Sequence, residues 1–271
     1  MSSTHLSENY RARFGGLARL YGEPALEKLA CAHMVVVGLG GVGTWTAEAL
    51  ARSGIGELTL IELDGICMTN TNRQSHALAS KIGQSKNSVI TQRLLDINPE
   101  LTIHSVENFL TKNNLSELIH SAHDVVVDAM DAVHNKAALV AYCSKRKIRL
   151  IVCGSSGGKL DPQKITTSDL GRTESDPMLA KIRTQLYRHH KFSRNENRKF
   201  RVDAVYSSEQ MVYPKPDGSV CMDKQTMQDG VRLDCAGGFG SSVMVTGTFG
   251  FIAANKAIER YLAKSLSQPS G

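Results

Sequence analysis

The stretch Val35-Val36-Val37-Gly38-Leu39-Gly40-Gly41-Val42-Gly43, followed at once by Thr44-Trp45-Thr46-Ala47-Glu48-Ala49-Leu50-Ala51, constrains this chain more than any other. A β-branched run, a glycine cluster and a periodic apolar segment closing at Gly54 predict a strand, a tight turn and a helix. Such a turn brings bare backbone to a helix N-terminus, where free N–H groups and the helix dipole favour negative charge. The motif therefore implies a nucleotide whose phosphates rest on Gly38, Gly40, Gly41 and Gly43.

The residues beyond Gly54 extend the same pattern. Residues 58–62, Leu-Thr-Leu-Ile-Glu, read as a strand buried on both faces. An acid at its tip, about 20 residues past the glycine turn, is placed to accept hydrogen bonds from ribose hydroxyls; Glu62 and Asp64 are both candidates. The polar run Thr69-Asn70-Thr71-Asn72-Arg73-Gln74 precedes Lys86. An Arg and a Lys converging on a phosphate-anchored nucleotide suit a triphosphate whose charge must be neutralised during transfer. Residues 84–98 read as a helix, 101–106 as a third strand and 114–120 as a short helix. Val125-Val126-Val127-Asp128-Ala129-Met130-Asp131 reads as a fourth strand ending in two carboxylates. Residues just past the C-terminal ends of parallel strands line the ligand crevice, so Asp131 is placed to hold Mg²⁺ with the phosphates. A helix over 132–147 and a strand over 150–154 complete the alternation.

The expected fold is a doubly wound, Rossmann-like, mainly parallel α/β sheet with helices on both faces and a smaller C-terminal strand and helix extension. Residues 1–170 form the nucleotide-binding portion with an N-terminal arm, and 171–271 complete the same domain. Segment 10–22 is basic and, with Gly15, Gly16 and Gly22, too glycine-rich for a long helix; 24–31 reads as a short one. In 187–200, Arg188, Lys191, Arg194, Arg198 and Lys199 face a single Glu196, a loop that either tracks phosphates or is a solvated linker. Short strands are expected over 201–206 and 219–222.

The net charge of +6 and the pI near 9.0 favour a polyanionic partner. Six scattered cysteines and a first segment with no basic or apolar signal pattern point to a reduced, cytoplasmic protein. Residues 235–255 carry no charge and have the length of a membrane span. Their glycines and hydroxyl residues favour a buried helix at a core or dimer interface over membrane association. Cys235 is either a reactive nucleophile or sulfur acceptor, or a small buried residue.

The order Gly38 to Gly43, Glu62-Leu63-Asp64, Asn70-Thr71-Asn72-Arg73-Gln74, Lys86 and Asp128-Ala129-Met130-Asp131 resembles the ubiquitin-activating-like adenylating enzymes. The resemblance implies ATP with Mg²⁺: phosphate binding by the glycine turn, ribose contact by Glu62, and polar support from Asn70 and Gln74. Arg73 and Lys86 would stabilise the leaving pyrophosphate and Asp131 would hold the metal. Arg13 is similar to an N-terminal arginine that reaches the neighbouring subunit's ATP, which implies a homodimer. Glu62 stands where the family usually has Asp. Members that activate sulfur carriers typically hold zinc with two Cys-x-x-Cys pairs, and no Cys-x-x-Cys occurs here.

Arg13-Phe14-Gly15-Gly16-Leu17-Ala18-Arg19-Leu20-Tyr21-Gly22 and Asp234-Cys235-Ala236-Gly237-Gly238-Phe239-Gly240 look like the bacterial threonylcarbamoyladenosine dehydratase branch of that family. This implies a tRNA whose adenosine beside the anticodon carries a threonylcarbamoyl group, cyclised with loss of water after adenylation of its threonine carboxylate. The basic loop would then contact tRNA. The alternatives are adenylation of a ubiquitin-like or sulfur-carrier protein C-terminus, with Cys235 taking sulfur from a cysteine desulfurase, a nicotinamide-dependent dehydrogenase, and a non-catalytic nucleotide sensor. Neither of the last two gives Arg73 and Lys86 a task.

Overall fold

The computed structural model describes residues 6–195, 197–215, 217–222 and 239–266. Two helices, α1 (Glu8–Tyr21) and α2 (Glu23–Ala30), lead into β1 (His33–Val37). Then come α3 (Gly43–Arg52), β2 (Glu57–Ile61), α4 (Lys86–Ile97), β3 (Thr102–Val106), the single-turn α5 (Leu115–Leu118), β4 (Val125–Asp128), α6 (Val133–Arg146) and β5 (Leu150–Cys153). Beyond these lie β6 (Ile165–Asp169), α7 (Pro177–His189), β7 (Asp203–Ser207), the short pair β8 (Tyr213–Pro214) and β9 (Val220–Cys221), and α8 (Val243–Leu266).

Among the described residues, seven strands form one sheet in the order β3-β2-β1-β4-β5-β7-β6. All neighbours in it are parallel except β6, which runs antiparallel to β7 on the edge. The apolar runs of β1, β4 and β5 are buried on both faces, as central parallel strands require. Strand order reverses between β1 and β4, so the crevice at this switch point opens beyond Val37 and Asp128.

Helices α3, α4 and α8 cover one face over Met34, Val36, Leu58, Leu60, Val125 and Val127; α6 and α7 cover the other over Val35, Val37, Val126 and Val152. The packing of α8 on α3 is close: a Cβ at Gly250 would lie 2.7 Å from both Trp45 Cβ and the Val42 carbonyl oxygen. Thr46 Oγ1 donates to the Gly250 carbonyl at 3.2 Å, and a two-pronged ion pair, Arg260 to Asp203, fastens α8 to β7.

Three local expectations are corrected. Segment 10–22 is helical from Glu8 to Tyr21: the Ser7 hydroxyl accepts the Tyr10 N–H, and Tyr10 and Phe14, four apart on one face, are buried with Leu26. The Tyr10 hydroxyl also donates to the Gly54 carbonyl. This anchoring offsets roughly 1 kcal/mol of helix propensity lost at each of Gly15 and Gly16. Part of the basic loop, Arg188 included, is helix α7, begun by an Asp176 side chain capping the Leu179 N–H and by Pro177 in the first turn. The helix expected over 114–120 is one turn, Leu115–Leu118.

Of the uncharged span 235–255, residues 235–238 lie outside the described residues, 239–242 are not helical, and α8 begins at Val243. Among the described residues, no helix is long and apolar enough to cross a membrane. The apolar side of α8, through Val245, Phe249, Ala253 and Ala257, is buried in the core.

Candidate nucleotide-binding site

The turn after β1 is closed by a contact only glycine permits. A Cβ at Gly43 would collide with the Gly38 carbonyl, and Gly38 itself has φ +85° beside the Ala129 backbone. Gly40 has no heavy atom within 4 Å of where a Cβ would stand, leaving its outer side open to a ligand. No side chain caps the first turn of α3, so its N–H groups and the positive end of its dipole face the crevice.

Glu62 welds this turn to β2. Its Oε2 accepts the Leu39 N–H at 2.9 Å, and its Oε1 accepts those of Leu63 and Asp64, each at 2.9 Å. Lys86, buried at the start of α4, holds its ammonium 3.1 Å from Asp64 Oδ2 and 4.0 Å from Glu62 Oε2. Of the two acids considered for ribose, Glu62 is thus committed to backbone, while Asp64 is half exposed.

The crossover loop folds back over the turn. Asn70 is buried and its Oδ1 accepts the Cys67 N–H at 3.0 Å, closing the loop's first turn. Arg73 donates from Nη1 to the Thr69 carbonyl and to Asn72 Oδ1, and its own carbonyl accepts the Trp45 indole N–H at 2.9 Å. A methyl at Gly41 would meet Arg73 Cδ at 3.3 Å and Thr246 Cγ2 at 3.1 Å, so turn, crossover loop and α8 converge there. Gln74 is buried, its Oε1 3.0 Å from His76 Nε2, and His76 Nδ1 lies 3.0 Å from the Thr44 hydroxyl. Burial, followed by the charges of Lys86 and Arg93, lowers the His76 pKa to about 4. The ring is neutral at physiological pH: Nε2–H donates to Gln74, and Nδ1 accepts from Thr44.

Beyond β4 the two aspartates part company. Asp128 is fully buried, its Oδ1 2.8 Å from the equally buried Lys136 ammonium and accepting the Met130 N–H at 3.1 Å; its Oδ2 has no partner. Burial pushes this carboxyl up, against the pull of Lys136. Asp131, three residues on, is exposed. A single free carboxylate near phosphate-binding backbone suits Mg²⁺, which takes one or two carboxylates and fills its remaining positions with phosphate and water.

Several predicted site residues lie elsewhere. Arg13 projects, exposed, from α1, which packs on Gly54 at the opposite end of the sheet from the glycine turn of the same chain. Lys191, Arg194, Arg198 and Lys199 are exposed on the loop after α7, with Arg188 exposed near that helix's end. The loop is pinned by Phe192 and Phe200 in ring contact at 4.9 Å and by Arg194 over the Tyr187 ring. Cys235 lies outside the described residues. Sequence reasoning missed His76, Lys136 and Asn87. Asn87 is fully buried, and its amide donates to the carbonyls of Leu60 and Val106, each at 3.1 Å, tying α4 to the ends of β2 and β3.

A glycine turn at the switch point of a doubly wound sheet, with an Arg and a buried Lys folded around it, defines a nucleotide-binding α/β domain built for phosphate charge. Residues 14–269 match the ThiF family, and the chain belongs to it. It is 47% identical over 266 residues to the tRNA threonylcarbamoyladenosine dehydratase of Escherichia coli (strain K12), covering 98% of this chain and 99% of the relative. Identity to the protein of that name from Haemophilus influenzae is 45% over 257 residues, 95% of this chain and 96% of the relative. A crystal structure of the E. coli tRNA N6-threonylcarbamoyladenosine dehydratase in complex with ATP superposes with a TM-score of 0.87 at 43% identity, covering 98% of this chain and all of that one.

Proposed function

We propose that this protein is an ATP-dependent tRNA threonylcarbamoyladenosine dehydratase. The observation that carries the reading is Arg73 lying against Gly41 at the phosphate turn, in a chain that aligns end to end with dehydratases. ATP would lie with its phosphates on Gly38, Gly40, Gly41 and Gly43 and its ribose toward Asp64, while Glu62 braces the turn. Mg²⁺ at Asp131 would offset phosphate charge. Arg73 and Lys86 lie where charge builds on a departing pyrophosphate, and Asn70 and Gln74 hold the loop that carries Arg73.

The chemistry proceeds in two displacements. A threonine carboxylate oxygen of the modified adenosine attacks the α-phosphorus, and pyrophosphate leaves. The neighbouring carbamoyl group then closes on the activated carbonyl, and AMP departs with the original carboxylate oxygen, so the nucleoside loses one water overall. Ring closure is intramolecular and therefore fast once the ester exists, which leaves the protein chiefly with electrostatics and positioning. Arg188, Lys191, Arg194, Arg198 and Lys199 supply phosphate contacts for the tRNA. In a homodimer the partner copy would bring its own α1, and with it an Arg13, to this site. The thiols of Cys67, Cys143 and Cys153 and a tRNA substrate support a cytoplasmic location. Strands from both halves of the chain share one sheet, which supports a single domain over 1–170 and 171–271.

The test incubates the purified protein with Mg-ATP and tRNA bearing threonylcarbamoyladenosine and analyses the nucleosides by mass spectrometry. Loss of one water is expected, and Arg73→Ala or Asp131→Ala abolishes it. An unchanged nucleoside, with adenylate on a small carrier protein instead, overturns the proposal.

A further inference from the structure

At the end of the sheet opposite the nucleotide turn, three neighbouring strands present a second cluster of chemistry-bearing side chains. His33 opens β1 and lies directly across from Glu57, which opens β2; His104 on β3 lies across from Thr59. All project from the face that carries Val35 and Ile61 farther along. One donor atom from each of His33, Glu57 and His104 lies within 4.8 Å of the others. Glu57 Oε1 stands 3.3 Å from His33 Nδ1 and 2.5 Å from His104 Nε2. The connection from β3 to β4 carries only the one-turn α5, and the His104 side chain is 49% exposed, so an ion has a path in.

We propose that His33, Glu57 and His104 form a binding site for a divalent transition-metal ion, zinc above all, with the fourth coordination position open to water. Two imidazoles and a carboxylate are the donor set zinc takes when it keeps an open position. For tetrahedral zinc at about 2.1 Å from each ligand, donors stand roughly 3.4 Å apart. The His33–Glu57 pair already has that separation, and the ion replaces the direct His104–Glu57 contact.

The surroundings orient the ligands. His33 Nε2 meets the buried Thr59 hydroxyl at 2.8 Å; with that nitrogen donating, the Nδ1 lone pair points to Glu57. The His33 main-chain N–H donates to Asp124 Oδ2 at 3.1 Å, and the His123 ring packs edge-on against the His33 ring at 4.6 Å. The ligands sit on adjacent parallel strands, which hold them more firmly than a loop would. A bound ion clips β3, the edge strand, to β2 and β1. Hard oxygen-seeking ions such as Mg²⁺ or Ca²⁺ are poorly served by two imidazoles.

The experiment strips the full-length protein with chelator and titrates it with zinc chloride by calorimetry, then repeats this with His104→Ala and Glu57→Gln. Both substitutions are at partly exposed positions, and circular dichroism of the metal-free proteins checks their folding. Expected are one ion per chain, binding weakened at least tenfold by each substitution, and a zinc-dependent rise in Tm that His104→Ala abolishes. Cobalt(II) should give the visible absorption of a tetrahedral nitrogen–oxygen site in the unaltered protein and lose it in His104→Ala. No saturable zinc binding, or binding that both variants retain in full, overturns the proposal; retention places the ion on other histidines such as His120 and His123.

Discussion

Lys136 and Asp128 are each fully buried and joined at 2.8 Å. Removing one partner of such a pair costs more than the pair contributes, because a lone charge is left in a poor solvent. Lys136→Met should therefore lower stability by about 3–5 kcal/mol, read from the urea midpoint, and adding Asp128→Asn should recover much of it. The pair sits at the foot of the loop that presents Asp131, so the single variant should also weaken ATP binding. Thiol reactivity divides just as sharply. Burial pushes the Cys143 and Cys153 thiols up to about 12, whereas the Thr69 hydroxyl, donating to the exposed Cys67, holds that thiol below its usual range. Brief iodoacetamide treatment followed by peptide mass spectrometry should find Cys67 alkylated and Cys143 and Cys153 untouched.

Among the elements, the β1 turn carries the sharpest prediction. Gly43→Ala places a methyl against the Gly38 carbonyl, so the turn must open. ATP binding should fall at least ~100-fold, or about 2.8 kcal/mol, by calorimetry, with the far-ultraviolet spectrum preserved. This turn is legible in sequence because its demand is local: glycines at fixed spacing between a β-branched run and an apolar helix. Strands β1, β2, β4 and β5 are legible for a related reason, since burial on both faces leaves short apolar runs bounded by polar residues. Helix α1 is not, because what holds it is Tyr10 reaching Gly54, forty-four residues away. Helix α7 does leave a signal, Asp176-Pro177 followed by Leu179, Ile182 and Leu186 on one face, which the basic residues after it obscure. Edge strand β6, Ile-Thr-Thr-Ser-Asp, carries almost no apolar pattern. The site divides likewise: Arg73, Lys86 and Asp131 stand out by type and spacing, while the partnerships of His76, Asn87 and Lys136 exist only once distant elements meet.

For the molecule as a whole, acid should act in two stages. His76 and His123 titrate near 4 when folded, burial being the main cause, against an ordinary 6.5. The unfolded chain therefore takes up protons first, and stability falls as pH drops from about 6.5 toward 4. Burial works to raise the Glu48 carboxyl, but hydrogen bonds and charge from Arg93 and Arg52 outweigh it and hold it below its ordinary 4.5. Its contribution is present above that value and is lost as pH falls through its lowered range. Urea midpoints at pH 7.5, 5.5 and 4 should decline steadily, and Glu48→Gln should flatten only the most acidic part. At fixed pH, neutralising Arg194, Arg198 and Lys199 together should weaken tRNA binding in filter-binding assays. The dependence of log Kd on log salt should drop by about 0.7–0.9 for each phosphate that the variant no longer neutralises.

The way α8 closes the sheet has a consequence in time. Thr246 abuts Gly41 and Gly250 seats Trp45, each partner some two hundred residues earlier in the chain, and Phe249 fills the core where α8 closes over β4 and β5. On the ribosome, β4 and β5 emerge with that face bare, and the phosphate turn lacks one of its walls until the helix that supplies it has been translated. Synthesis thus holds the nucleotide site in an unfinished condition for most of the chain's elongation, and a nascent chain halted before residue 243 should retain no ATP.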